Sequence, residues 1–112
     1  MTTIWHNPRC SKSRATLALI KDTGITPEIR LYQDSAPTET EIREVLNLLG
    51  ISAADLVRKN EALFKELNLK DAGDATLIAA MAANPKLIER PVVLAGGKAA
   101  LGRPPESVLE IL

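Results

Sequence analysis

The segment His6-Asn7-Pro8-Arg9-Cys10-Ser11-Lys12-Ser13-Arg14 holds the only cysteine and the only histidine of the chain, together with three cationic side chains. A thiol reacts as its thiolate, and its pKa falls beside cations, beside a protonated histidine or at a helix N-terminus. This segment offers all three conditions. The first acidic residue is Asp22, so Arg9, Lys12, Arg14 and Lys21 act on Cys10 without a nearby carboxylate to offset them. Cys10 is therefore the candidate nucleophile. Ser13 is placed to hydrogen-bond its thiolate, and His6 to lower its pKa.

These residues need a strand and a helix to position them. Thr2-Thr3-Ile4-Trp5 reads as a first strand, and Asn7-Pro8 breaks it. From Ser11 the pattern becomes helical, with Ala15, Leu17, Ala18 and Ile20 as apolar positions and Gly24 as the stop. Cys10 then falls at a strand-to-helix junction, where unpaired N–H groups and the positive end of the dipole favour an anion. A second strand is expected over 28–32, with Ile29 and Leu31 on one face. Thr38 and Glu41 form a capping-box signal before the stripe Ile42, Val45, Leu46 and Leu49, closed by Gly50. Residues 52–68 suggest one or two short helices, and Leu77, Ile78 and Met81 mark a helix over about 74–83. Val92-Val93-Leu94, the Gly96-Gly97-Lys98 turn and residues 99–101 read as a hairpin. Pro104-Pro105 opens a last helix, with Val108, Leu109 and Leu112 expected inward.

The chain has 112 residues, enough for one domain with an ordinary core. Its composition, 46% hydrophobic and 25% charged, is that of a soluble globular protein. Zero net charge argues against a nucleic-acid partner, which wants a basic face. No apolar run approaches the roughly 20 residues that cross a bilayer, and no apolar leader is evident at the N-terminus. A single cysteine excludes an intramolecular disulfide framework and fits a reducing cytoplasm. One Cys and one His do not make a zinc site, so no metal is expected. No long apolar patch suggests self-association, and a monomer is the expectation.

The element order is β-α-β, a helical block, then β-β-α. This is an α/β, thioredoxin/glutaredoxin-like plan with a helical insert at about 36–84 inside one domain. Four motifs fall on it in sequence: His6-Asn7-Pro8-x-Cys10-x-x-Ser13, Leu56-Val57-Arg58-Lys59-Asn60, Arg90-Pro91-Val92-Val93 and Arg103-Pro104. On these the chain resembles the glutaredoxin-linked arsenate reductase family from residue 6 to residue 104. The resemblance implies that the Cys10 thiolate attacks arsenate and that Arg58, Arg90 and Arg103 hold the oxyanion. It also implies a cis proline at Pro91, glutathione as co-substrate, glutaredoxin as partner and no bound cofactor. Guanidinium suits the task, because its planar fork of donors binds tetrahedral oxyanions bidentately and stays charged.

Ser13 stands where dithiol oxidoreductases carry a second cysteine, so the chain needs an external thiol to resolve an oxidised Cys10. Two other readings use the same residues. One is a general glutathione-linked thiol oxidoreductase without arsenic specificity. The other is an Spx-like regulator that binds RNA polymerase; such proteins sense oxidants through C-x-x-C, and Ser13 counts against it. The phosphatase-like C-x5-R cradle is excluded by spacing, since its arginine would fall at Thr16.

Overall fold

The computed structural model describes all residues, 1–112. The chain forms two compact units, Met1–Ser35 with Arg90–Leu112, and Ala36–Glu89. The first unit carries a four-stranded sheet in the order β2-β1-β3-β4. Its strands are β1 (Thr2–Trp5), β2 (Glu28–Arg30), β3 (Val92–Ala95) and β4 (Lys98–Leu101). β1 and β2 run parallel, joined by helix α1 (Ser11–Asp22). β3 is antiparallel to β1, pairing Ile4 with Val93, and β4 returns antiparallel to β3. The hairpin turns at Gly96 and Gly97, whose φ values of +56° and +77° suit a type I′ turn that other residues rarely adopt. A 3₁₀ helix, Pro105–Ile111, closes the unit.

Ile4, Ile20, Val93 and Val108, each 0% exposed, form the core of this unit, with Leu17, Ile25, Ala100, Ile111 and Leu112 packed around them. Full burial of each such aliphatic side chain contributes about 1.5–3 kcal/mol. β1 therefore sits at the centre of the sheet with α1 against it, and the β1–α1 loop that carries Cys10 is anchored at both ends.

Three local expectations are corrected. β2 ends at Arg30 rather than at residue 32, because the chain turns away at Leu31, whose carbonyl accepts the N–H groups of Asp34 and Ser35 at 3.0 and 2.9 Å. Ile29 and Leu31 are consequently exposed on an edge, and Tyr32 is the buried residue. In α1 the buried positions are Ser13, Thr16 and Ile20, while Ala15 and Ala18 face solvent. In the last helix Val108 points inward but Leu109 is exposed. A 3₁₀ helix has three residues per turn, so Val108 and Ile111 eclipse on one face and Leu109 is turned off it.

The second unit is helical: α2 (Glu39–Leu49), α3 (Ala53–Leu56), α4 (Ala62–Glu66) and α5 (Asp74–Ala83), followed by a 3₁₀ turn at Pro85–Leu87. Thr38 and Glu41 make both hydrogen bonds of a capping box at 3.1 and 3.0 Å, and Gly50 ends α2 in the left-handed region at φ +68°. α2 and α3 pack on α5, burying Ile42, Val45, Leu46, Leu56, Leu77, Ile78 and Met81. The unit reaches Glu89 because Val57 bridges Ile88 and the Glu89 N–H donates to the Leu56 carbonyl at 2.8 Å. No helix is long and apolar enough to cross a membrane.

Candidate active site

Cys10 is the N-cap of α1, with an extended backbone (φ −97°, ψ 122°) and a carbonyl that accepts the Arg14 N–H at 3.0 Å. Its own N–H donates to the Asn7 carbonyl at 3.0 Å, which closes a tight turn over Pro8 and Arg9. The turn is tied twice more. The Asn7 side-chain oxygen accepts the Arg9 N–H at 3.0 Å, and Arg14 Nη1 donates to the Pro8 carbonyl at 2.8 Å. The half-buried thiol is thus presented from a constrained loop at the head of a helix.

A neutral thiol is a weak acceptor, and Cys10 makes no capping hydrogen bond of the serine kind. As an anion it is favoured. Desolvation pushes its pKa up, but the Ser13 N–H, the positive charge of Arg90, the Lys12 N–H and a hydrogen bond from the Arg90 side chain together outweigh this and hold it below the ordinary thiol value. The first-turn amides have no partners within the helix and so remain available to an anion.

Ser13 acts on the thiol through its backbone, not its hydroxyl. The side chain is fully buried and accepts the Asn7 N–H at 3.0 Å, while its Oγ lies 2.7 Å from His6 Nδ1. His6 is itself only 6% exposed, and its N–H donates to the Arg30 carbonyl at 2.8 Å. Burial, then the charges of Lys21 and Arg14, lower the pKa of His6 and keep the ring neutral. Oγ keeps a second lone pair after receiving the Asn7 N–H, so the bond to His6 runs from the hydroxyl to an unprotonated Nδ1 or from Nδ1–H to the hydroxyl according to the tautomer of the neutral ring. The sequence suggested a cationic histidine beside the sulfur. The structure instead holds a neutral His6 against Ser13, where it props the loop.

Arg90 and Arg103 lie at the entry to β3 and the exit of β4, the strands that pair beside β1. Arg103 Nη1 donates to the Arg90 carbonyl at 3.2 Å, so the two residues are tied together. Both precede a proline in cis linkage, Arg90–Pro91 and Arg103–Pro104. Arg58 belongs to the helical unit. There its N–H donates to the Leu87 carbonyl at 2.7 Å, and its Nη1 donates to the Lys86 carbonyl at 3.1 Å. The same nitrogen lies 3.4 Å from a Glu61 carboxylate oxygen, and Lys86 Nζ lies 3.9 Å from the other oxygen. Lys12 bears on the sulfur through its backbone N–H, as the strand-to-helix junction at Cys10 implies.

A central parallel βαβ unit followed by an antiparallel hairpin, with one activated cysteine at the head of the first helix, defines a thioredoxin-like α/β protein of the single-thiol kind. Comparison with known proteins narrows this. The ArsC family model matches residues 5–111, and the chain belongs to that family. The chain is 54% identical to the uncharacterized protein YfgD of Escherichia coli (strain K12), over 97% of this chain and 94% of that one. It is 46% identical to an arsenate reductase of Neisseria meningitidis serogroup B, over 97% and 96% of the two chains. The solved arsenate reductase from Vibrio cholerae superposes with a TM-score of 0.97 at 49% identity, over 99% of this chain and 97% of that one.

Proposed function

We propose that the protein reduces arsenate to arsenite through the Cys10 thiolate, with glutathione and glutaredoxin supplying the electrons in the cytoplasm. The observation that carries this reading is the ionisable Cys10 at the head of α1, favoured as an anion by the Ser13 and Lys12 N–H groups and by Arg90. The thiolate attacks arsenic, an S–As bond forms and one oxygen leaves as water after protonation. Arg90 and Arg103 neutralise the oxyanion and stabilise the charge that develops during attack. Arg58 enters as the third guanidinium on the resemblance of its motif.

The chain has one cysteine, so it cannot form an internal disulfide, and the second thiol must come from outside. Glutathione attacks the Cys10 adduct, and glutaredoxin resolves the mixed species. Across the cycle arsenate gains two electrons and loses one oxygen as water, and two glutathione thiols become one disulfide. A monomer suffices for these steps.

The test is NADPH oxidation by purified protein with arsenate, glutathione, glutaredoxin and glutathione reductase, beside a Cys10→Ser control. Arsenate-dependent turnover that disappears in the control supports the proposal. Turnover on glutathionylated substrates without arsenate turnover would replace it with a general thiol oxidoreductase.

A further inference from the structure

Gly102 follows β4 and precedes Arg103, and nothing in its backbone demands glycine, since it has no positive φ. What it lacks is room. A Cβ built there would press on Thr16 Oγ1 well inside contact distance, and would lie 2.6 Å from Pro91 Cγ and 3.0 Å from Thr16 Cγ2. None of the other glycines of the chain has a heavy atom within 4 Å of such a Cβ. Gly102 is buried, and its N–H donates to the Pro91 carbonyl at 3.0 Å.

Both obstructing residues lead directly to the thiol. Thr16 is fully buried on the inner face of α1, and its Oγ1 donates to the Lys12 carbonyl at 2.7 Å. A β-branched side chain in a helix has few rotamers to retreat into, so pressure on Thr16 passes to the first turn, where the Lys12 and Ser13 N–H groups serve the Cys10 anion. Pro91 is buried and follows Arg90, whose side chain hydrogen-bonds Cys10 and whose carbonyl anchors Arg103.

From this geometry we infer that Gly102 is a positioning residue for the catalytic thiol: its missing side chain lets α1 and the Arg90-Pro91 segment close to the separation at which both act on Cys10. A methyl group at this position wedges the two apart. The sulfur then keeps its desolvation while its cationic partner moves away, and the thiolate population at neutral pH falls.

The test compares Gly102→Ala with Val108→Ala, a cavity in the same core, against Ile20 of α1 and Val93 of β3, that leaves the contact of Gly102 with Thr16 and Pro91 itself intact. Two readouts are needed, the melting temperature and the rate of Cys10 alkylation by iodoacetamide as a function of pH. The inference predicts that Gly102→Ala alkylates several-fold more slowly at neutral pH, with its pH profile displaced upward. Val108→Ala should melt at least as early yet keep the wild-type profile. A wild-type profile in Gly102→Ala, or an equal displacement in Val108→Ala, overturns it. If Gly102→Ala does not yield folded protein, Thr16→Ala/Gly102→Ala relieves the helix side and leaves only Pro91 obstructed. Alkylation slower than in Thr16→Ala alone supports the inference, and an equal rate overturns it. No arsenic enters either assay, so the outcome is independent of the proposed substrate.

Discussion

Substituting Ser13 by alanine separates the two jobs this residue performs. The change deletes Oγ but leaves the backbone N–H that serves the Cys10 anion. It removes the partner of His6 Nδ1, in a ring only 6% exposed, and the acceptor of the half-buried Asn7 N–H. A buried polar group left unpaired costs about 1–3 kcal/mol. His6 bears most of that cost, while water can reach Asn7, so the sum is about 2–3 kcal/mol. For a domain of this size about 1 kcal/mol moves the melting temperature by about 4 °C, so the expected fall is about 8–12 °C. Calorimetry gives the fall, and the thiolate absorbance of the same sample gives the Cys10 titration. The expectation is a large loss of stability with a small change in the titration. A melting temperature within a degree or so of the wild type, with a strongly raised thiol midpoint, would refute the reasoning and place the hydroxyl on the sulfur.

Four further substitutions give distinct expected outcomes. Arg90→Gln removes the charge and weakens the hydrogen bond that lower the thiol pKa, so the titration should move upward and alkylation at neutral pH should slow; an unmoved titration would free Arg90 from this role. His6 is held neutral, so its folded pKa lies below the unfolded value of 6.5. Its contribution to stability is therefore complete above pH 6.5 and is lost as pH falls through the lower folded value. Because it is the only histidine, His6→Gln should flatten the melting temperature between neutral and mildly acidic pH, and an unchanged slope would contradict this. Arg103→Lys breaks the planar fork and the bond to the Arg90 carbonyl, and should raise the KM for arsenate while leaving the Cys10 titration nearly intact. Thr38→Ala removes the capping box of α2 for about 1 kcal/mol, and calorimetry should show that loss with unchanged thiol reactivity.

Much of the fold was legible because its signals are local. Asn7-Pro8 after a strand and the polar start at Ser11 put Cys10 at a helix head; Thr38 and Glu41 announce a capping box that both side chains form. What stayed hidden depends on contacts distant in sequence or on small differences in helix geometry. The inward turn of Val108 without Leu109 follows from three residues per turn rather than 3.6, which apolar spacing over seven residues does not resolve. The apolar stripe expected in α1 included Ala15 and Ala18, yet the buried face carries the hydroxyls of Ser13 and Thr16. Those hydroxyls are buried because each finds a partner, His6 Nδ1 and the Lys12 carbonyl, and neither pairing is written in hydrophobic periodicity. Gly102 carried no signal at all. A glycine next to Arg103-Pro104 reads as a loop residue, and its lack of space appears only when Thr16 and Pro91, 86 and 11 positions earlier in the chain, are brought against it.

The proposed reaction requires Cys10 to be a thiolate under conditions where an ordinary cysteine is not. The most direct measurement is the ultraviolet titration of the wild-type protein with the Cys10→Ser titration subtracted. With one cysteine in the chain the difference reports that sulfur alone. A midpoint clearly below the ordinary value of 9.0 is the predicted result. A midpoint at or above that value would mean that desolvation outweighs Arg90 and the helix amides, and the proposed nucleophile would lose its basis.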